Sequence, residues 1–259
     1  MKYKAYAKVN IFLKIVGIRG NYHEIKSRFM LVANLFDELS FVKKKTKEKF
    51  ELHGDFGCEL SKNTIYKAYI ALCEAGFAKE LDKLFDSYAV SVEKNIPSFA
   101  GLGGGSSDAA AFMHMIVDHT NLDLNDEELA KIGLKVGADV PFFIYNFKSA
   151  NVSGIGEIVE KFEEVPLELE VFTPDIKCDT AEVYKTFREN CTIDLELSDK
   201  MFRTKSKVLL ETYKDKELND LLGPALQISK KLEDYRRKNW FFSGSGSSFF
   251  RLKETDKNG

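Results

Sequence analysis

The chain reads as an α+β protein. Strand-like and helix-like segments interleave along it without the regular strand–helix–strand rhythm of a doubly wound sheet. Its 259 residues, 44% of them hydrophobic, suffice for a sizeable core in one large or two modest domains. Late in the first half, a strand-like segment runs into Gly101-Leu102-Gly103-Gly104-Gly105, and an alanine-rich apolar stretch follows.

The elements follow in order. Tyr3 to Val16 is rich in β-branched and aromatic residues and predicts a strand, as does Arg28 to Val42. Phe50–Leu52 with the turn Gly54-Asp55-Phe56-Gly57 predicts a hairpin. Asn63 suits the N-cap of a helix over 64–75, whose apolar face is Ile65, Tyr69, Leu72 and Cys73, with Gly76 as its stop. Tyr88, Val90 and Val92 alternate with polar or small residues, so a half-buried strand feeds the glycine run and a helix ending near His119. Asn125 or Asp126 caps a helix carrying Leu129, Ile132 and Val136, closed by Gly137. Val140-Pro141-Phe142-Phe143-Ile144-Tyr145 predicts a buried strand with proline at its start. The small, polar stretch from Ser149 to Gly156 divides the chain into 1–150 and 151–259. The second part predicts a strand over 167–173, a helix from Thr180, helices around 203–213 and 216–222, and another opening at Pro224. Strands over 240–243 and 248–252 flank Gly244-Ser245-Gly246-Ser247.

Composition excludes several function classes. Net charge is −2, which points to neither a nucleic-acid nor a membrane partner. The run Lys43-Lys44-Lys45-Thr46-Lys47-Glu48-Lys49 lies between strand-like segments and reads as a solvated edge. Four cysteines without a CxxC pair read as reduced thiols, and His114 and His119 are spaced wrongly for a helical zinc pair. Neither a secretory leader nor a membrane span is present, so a soluble, cytoplasmic protein is expected.

The glycine run carries the chemistry. Glycines release the backbone from side-chain sterics, and Ser106, Ser107 and Asp108 can each cap a helix start. Such a loop aims free N–H groups and the positive end of a helix dipole at one point, an arrangement that binds phosphate. It is not a Walker loop, because Ser106 and not lysine follows Gly105. GxGxxG fails from both Gly101 and Gly103, GxSxG is absent, and the HRD and DFG of protein kinases are missing. Taken alone, the run leaves phosphate binding and a flexible connection equally open.

Written Pro-x-x-x-Gly-Leu-Gly-Gly-Gly-Ser-Ser-x-Ala-Ala from Pro97, the run resembles the ATP-binding motif of the GHMP kinase superfamily. Other segments narrow the resemblance to the 4-diphosphocytidyl-2-C-methyl-D-erythritol kinase family. Ala7-Lys8-Val9-Asn10-Ile11-Phe12-Leu13 is similar to its AKxNxxL motif, Tyr22-His23-Glu24 to GYHE, and Gly137-Ala138-Asp139-Val140-Pro141-Phe142-Phe143 to GADVPFF. Ser243-Gly244-Ser245-Gly246-Ser247 resembles the superfamily's third, glycine-rich motif. Together the segments span almost the whole chain in the right order. The chain departs from the pattern at Asn21, at Ser98-Phe99-Ala100 and at Cys178-Asp179-Thr180.

The resemblance implies an N-terminal domain like ribosomal protein S5 domain 2 over 1–150 and a ferredoxin-like C-terminal domain over 151–259. It implies ATP-dependent phosphorylation of a methylerythritol hydroxyl in a cytidine diphosphate derivative, a step of the non-mevalonate route to isoprenoid precursors. Magnesium is expected with the ATP. Lys8 and Asp139 match the catalytic pair, Asp139 as base and Lys8 as the charge beside it; chemistry alone would favour a structural ion pair or two groups that reach solvent. Pro97, Gly101, Leu102, Gly103, Gly104, Gly105, Ser106 and Ser107 would hold the triphosphate, with Asp108 turned away from it or approaching magnesium indirectly. Asn63 and Tyr66 would line the adenine pocket, although plain helix capping explains Asn63 equally well. Tyr22, His23 and Tyr184 would hold the cytosine, Tyr184 being equally readable as core. Asn10 would touch the acceptor hydroxyls, and Thr180, Gly244 and Gly246 would complete the substrate site, although a tight hairpin explains the two glycines equally well. The alternatives are another GHMP small-molecule kinase, of homoserine or phosphomevalonate type, and a non-catalytic S5-like RNA-binding protein. Near-neutral charge argues against the last.

Overall fold

The computed structural model describes residues 1–190 and 193–253. Two long strands, β1 (Lys2–Arg19) and β2 (Tyr22–Lys43), pair across a two-residue connection in which Gly20 takes φ +60°. β1 is buried without a break from Ala7 to Ile15, so both its faces are covered, and Lys8, Asn10 and Lys14 are the polar residues enclosed in that run. The predicted hairpin after Phe50 does not form. β3 (Leu52–His53) runs parallel to β4 (Tyr88–Glu93), and parallel strands need a crossover longer than a turn.

Helices supply that crossover. In α1 (Thr64–Leu72) the Asn63 side chain accepts the Ile65 N–H at 2.8 Å, as its N-cap position predicts. Gly76, at φ +107°, is non-helical and marks the kink between α1 and α2 (Ala78–Phe85), in keeping with its expected role as a helix stop. α3 (Gly104–Thr120) follows the glycine run, and α4 (Asp126–Leu134) opens on a capping box between Asn125 and Glu128. The predicted strand after Asp139 is instead a helix, α5 (Val140–Tyr145). Pro141 sits in its first turn, where no N–H is needed, and Val140 to Ile144 are all buried. A helix apolar on every side has no period from which to tell it from a buried strand.

The stretch from Ser149 to Gly156, where the break near residue 150 is expected, contains a strand, β5 (Ser149–Gly154), followed by β6 (Ile158–Lys161) and β7 (Leu169–Phe172). Then come α6 (Thr180–Asn190), α7 (Leu195–Arg203), α8 (Ser206–Thr212), α9 (Asp215–Leu218) and α10 (Leu222–Ile228). β8 (Phe241–Phe242) and β9 (Phe249–Leu252) close the chain. Sequence periodicity missed α7, and the single helix expected over 216–222 is two, separated at the extended residue Asn219.

The chain forms two compact units, each discontinuous in sequence. The first comprises Met1–Ala7, Ala33–Ser98 and Gly103–Phe147. In it the second half of β2 runs antiparallel to β4, with Glu38 opposite Glu93, and β3 lies beyond β4. Its core holds an aromatic cluster, in which Phe50 stacks on Tyr69 at 4.6 Å and meets Phe85 edge-on at 4.9 Å. The second unit comprises Lys8–Val32, Phe99–Leu102 and the described residues from Lys148 onward. In it the first half of β2 runs antiparallel to β5, with Ile25 opposite Gly154, and β6 lies beyond β5. A separate three-stranded sheet has the order β7-β9-β8.

The second unit is pinned by Arg28, which is fully buried. Its guanidinium donates to Asn151 Oδ1 at 2.6 Å and to the Phe202 carbonyl at 3.0 Å, and lies 3.2 Å from the centroid of the Phe162 ring. Glu164 faces it at 3.4 Å and accepts from the Ser149 and Ser206 hydroxyls, each at 2.6 Å. A buried charge with its partners supplied is stable where an orphaned one is not.

Candidate active site

In the first unit the site is built on the start of α3. Gly103, at φ +71°, is its N-cap and carries no side-chain cap; Ser106 and Ser107 fall inside the first turn rather than capping it. The leading amides of this 17-residue helix, from Gly104, Gly105 and Ser106, have no acceptor within the helix. That leaves donors and the positive end of the dipole together, which is what a phosphate needs. The backbone approaches its neighbours too closely for side chains: a Cβ on Gly104 would lie 2.9 Å from Ile96 Cγ2. Thr64 Oγ1 donates to the Gly105 carbonyl at 2.6 Å, so the N-terminus of α1 steadies the turn.

Asp108 turns inward, as expected, and its Oδ2 accepts from Lys94 Nζ at 2.6 Å. Burial pushes its carboxyl up to about 7, against the pull of the Lys94 charge. Lys94 also pairs with Asp37, whose other oxygen accepts the Ile96 N–H at 2.8 Å. This buried network ties the lead into the glycine run to the body of α3. Asp139 is half-buried at the N-terminus of α5. A Cβ built on Gly137 would lie 3.7 Å from the Ser106 hydroxyl, so the Gly137-Ala138-Asp139 segment borders the start of α3. Asn63 is buried and engaged as a cap, and Tyr66 packs on Tyr69 at 6.0 Å and Phe50 at 5.7 Å. Pro97 is exposed.

In the second unit a polar cluster surrounds Lys8, which is 4% exposed. Its Nζ donates to Asn10 Oδ1 at 2.6 Å and to the Gly101 carbonyl at 3.3 Å, and lies 4.5 Å from the Phe29 ring centroid. Its backbone N–H donates to the carbonyl of buried Leu102 at 2.9 Å, seating β1 against the glycine run. Asn10 donates through Nδ2 to Ser27 Oγ at 2.9 Å, and its N–H reaches Ser243 Oγ at 3.3 Å. Ser243 Oγ donates in turn to the Gly101 carbonyl at 3.0 Å. Three sequence motifs thus meet at one point, and Ser27 and Ser243 join them unforeseen. Ser27, between Lys26 and Arg28 and just outside the predicted strand, carried no sequence signal, whereas Ser243 stood beside Gly244 in the third motif.

The third motif approaches closely enough to require its glycines. Gly244 (φ +58°) would put a Cβ 3.2 Å from Asn10 Oδ1, and Gly246 (φ +92°) one 2.2 Å from Phe242 Cζ. The hydroxyls of Thr180 and Ser245 bond at 2.8 Å. Further along β2, His23 is buried and its ring centroid lies 5.1 Å from that of half-buried Tyr184. Burial, with the Arg188 charge second, lowers the His23 pKa, so the imidazole is neutral at pH 7. Its Nε2 is buried and has no hydrogen-bond partner among the described residues. Tyr22 is exposed at the first position of β2.

A helix start with free leading amides and a carboxylate beside it in the first unit, and a buried lysine among polar groups in the second, are the parts a small-molecule kinase uses, and similarity to known proteins gives that class. Residues 63–147 match the GHMP kinases N terminal domain. Relatives narrow this further. The chain is 54% identical to the 4-diphosphocytidyl-2-C-methyl-D-erythritol kinase of Sulfurimonas denitrificans, over 98% of this chain and 97% of that one. It is 42% identical to the enzyme of that name from Helicobacter pylori, over 98% and 95% of the two chains. A crystal structure of 4-(cytidine 5'-diphospho)-2C-methyl-D-erythritol kinase superposes with a TM-score of 0.75 at 30% identity, covering 98% of this chain and 90% of the other. The chain belongs to the 4-diphosphocytidyl-2-C-methyl-D-erythritol kinase family, within the GHMP kinases. It has the α+β GHMP kinase fold and is an ATP-dependent small-molecule kinase.

Proposed function

We propose that this kinase moves the terminal phosphoryl group of ATP to a methylerythritol hydroxyl of 4-diphosphocytidyl-2-C-methyl-D-erythritol, giving the 2-phosphate and ADP. The reaction is a step of the non-mevalonate route to isoprenoid precursors, and we assign it to the cytoplasm. Among the described residues no helix is long and apolar enough to cross a membrane. Residues 1–150 serve as the ATP-binding domain and 151–259 as its C-terminal companion.

The α3 start, with Gly101 to Ser107, holds the triphosphate through N–H and hydroxyl groups. Asp139 takes the proton from the acceptor hydroxyl as its oxygen bonds to the γ-phosphorus and the bond to ADP breaks. The Lys8 ammonium, held in place by Asn10 and the Gly101 carbonyl, balances the negative charge of the transfer. Asn10, Thr180, Gly244 and Gly246 meet the acceptor, Tyr22, His23 and Tyr184 its cytosine, and Asn63 and Tyr66 the adenine. Magnesium enters with the nucleotide. No group of three or more His, Cys, Asp or Glu able to hold a metal exists among the described residues, so no side chain is assigned to it.

The His23–Tyr184 pair carries the choice of acceptor. A neutral imidazole with an unengaged nitrogen beside a tyrosine ring suits the polar edge and the face of a pyrimidine. Homoserine and phosphomevalonate offer no base to place there. ADP release measured with the cytidine compound, homoserine and phosphomevalonate in turn tests the reading. Turnover is expected with the first alone; turnover with either of the others in its place overturns the acceptor and leaves the kinase class standing.

A further inference from the structure

Asn219 lies outside every motif above, between α9 and α10, yet it is 2% exposed and uses its whole side chain. Nδ2 donates to the Phe242 carbonyl at 3.0 Å and to the Gly244 carbonyl at 2.9 Å, while Oδ1 accepts the Leu221 N–H at 2.9 Å. The two carbonyls flank Ser243, whose hydroxyl joins Asn10 to Gly101. The backbone of Asn219 is itself anchored to β1. It bridges Leu13, the Asp220 N–H donates to the Leu13 carbonyl at 3.0 Å, and the Asp220 carboxylate accepts the Ile15 N–H at 2.8 Å and pairs with Lys14. The strand that carries Lys8 and Asn10 is thus connected through one amide to the turn that carries Gly244 and Gly246.

Only a short primary amide meets these demands, with two donors on one atom and an acceptor on the next. Aspartate would set a carboxylate oxygen against two carbonyls. Serine or alanine would leave at least one buried carbonyl unsatisfied.

We infer that Asn219 is a positioning residue that holds the Phe242–Gly244 backbone in register with Asn10, so that the third-motif turn is preformed for the acceptor. The inference rests on the acceptor reading above. It is tested by steady-state kinetics and thermal melts on the full chain, wild type beside Asn219→Ser, Asn219→Asp and the buried control Glu164→Gln. Asn219→Ser is expected to raise the KM for the cytidine compound by about tenfold, the equivalent of one lost buried hydrogen bond, with the KM for ATP within about twofold of wild type. Asn219→Asp should raise it further. Glu164→Gln should lower the melting temperature and leave both KM values alone. An active wild type with unchanged acceptor KM in folded Asn219→Ser overturns the clamp alone. A wild type inactive on the cytidine compound overturns the acceptor reading, and the clamp's role with it. If the variants do not fold, hydrogen exchange on the native protein decides. The amides of Ser243, Gly246 and Ser248, bonded to Ser248, Ser243 and Ala100, must be protected without ligand, and rapid exchange there refutes a preformed turn.

Discussion

Replacing Gly101 by alanine tests the close approach on which the site depends. The residue has φ +73°, where a Cβ costs about 1–2 kcal/mol from backbone sterics alone. The added Cβ would also lie 2.2 Å from the Ser243 carbonyl oxygen, and 3.1 Å from both the nitrogen and the oxygen of Gly246. The atoms it meets are backbone, which cannot rotate aside. The Ser243–Gly246 turn must retreat, straining the 3.0 Å bond from the Gly246 N–H to the Ser243 carbonyl and the 3.0 Å bond from Ser243 Oγ to Gly101. Overpacking of this kind costs about 1–3 kcal/mol and a weakened hydrogen bond about 1 kcal/mol, so Gly101→Ala should lose about 3–6 kcal/mol in all. Gly20→Ala is the control: φ is +60°, but nothing lies within 4 Å of its Cβ, so only the backbone cost of about 1–2 kcal/mol applies. At about 2–4 °C per kcal/mol for a chain of this size, the two variants should differ in melting temperature by on the order of 8 °C. Thermal melts followed by circular dichroism, beside urea titrations, measure this. If Gly101→Ala melts within about 2 °C of Gly20→Ala, the glycine run does not press on the third motif and the packing argument fails.

Two further predictions concern chemistry. Asp139→Asn should keep the fold and bind ATP, while turnover in the ADP-release assay falls by about 10²–10⁴-fold, the usual worth of a general base; full turnover would remove Asp139 from that role. His23 is held neutral by burial, with its pKa below the ordinary 6.5. As pH falls through 6.5 the unfolded chain takes up its proton before the folded one does. Stability attributable to this residue is therefore intact above pH 6.5 and lost from there down to the folded pKa. His23→Gln should abolish that part of the slope, read as the difference in melting temperature from wild type at pH 7.5 and pH 5.5, and an equal difference at both values would contradict it.

Local chemistry was legible in the chain by itself. Asn63 and Asn125 mark helix starts because their short side chains satisfy orphan amides, wherever the helix then goes. Gly103 precedes a helix whose alanines need no partner to be read, so a helix start after the glycine run was visible from the sequence, while the run alone left phosphate binding and a flexible connection equally open. The motif segments likewise carried the family, because their residue types are tied to one reaction.

Tertiary structure decided the rest. Val140–Tyr145 is a helix although its sequence reads equally as strand, because burial of Val140 to Ile144 erases the period that distinguishes helix from strand. β3 pairs parallel to β4 because an intervening pair of helices returns the chain, a choice no turn residue encodes. Ser27, Ser243 and Asn219 gained their roles only when distant segments met, since a hydrogen bond across 233 residues, as from Asn10 to Ser243, leaves no mark on the local sequence at either end. Residue type states what a side chain can donate or accept; folding alone determines what stands within reach of it.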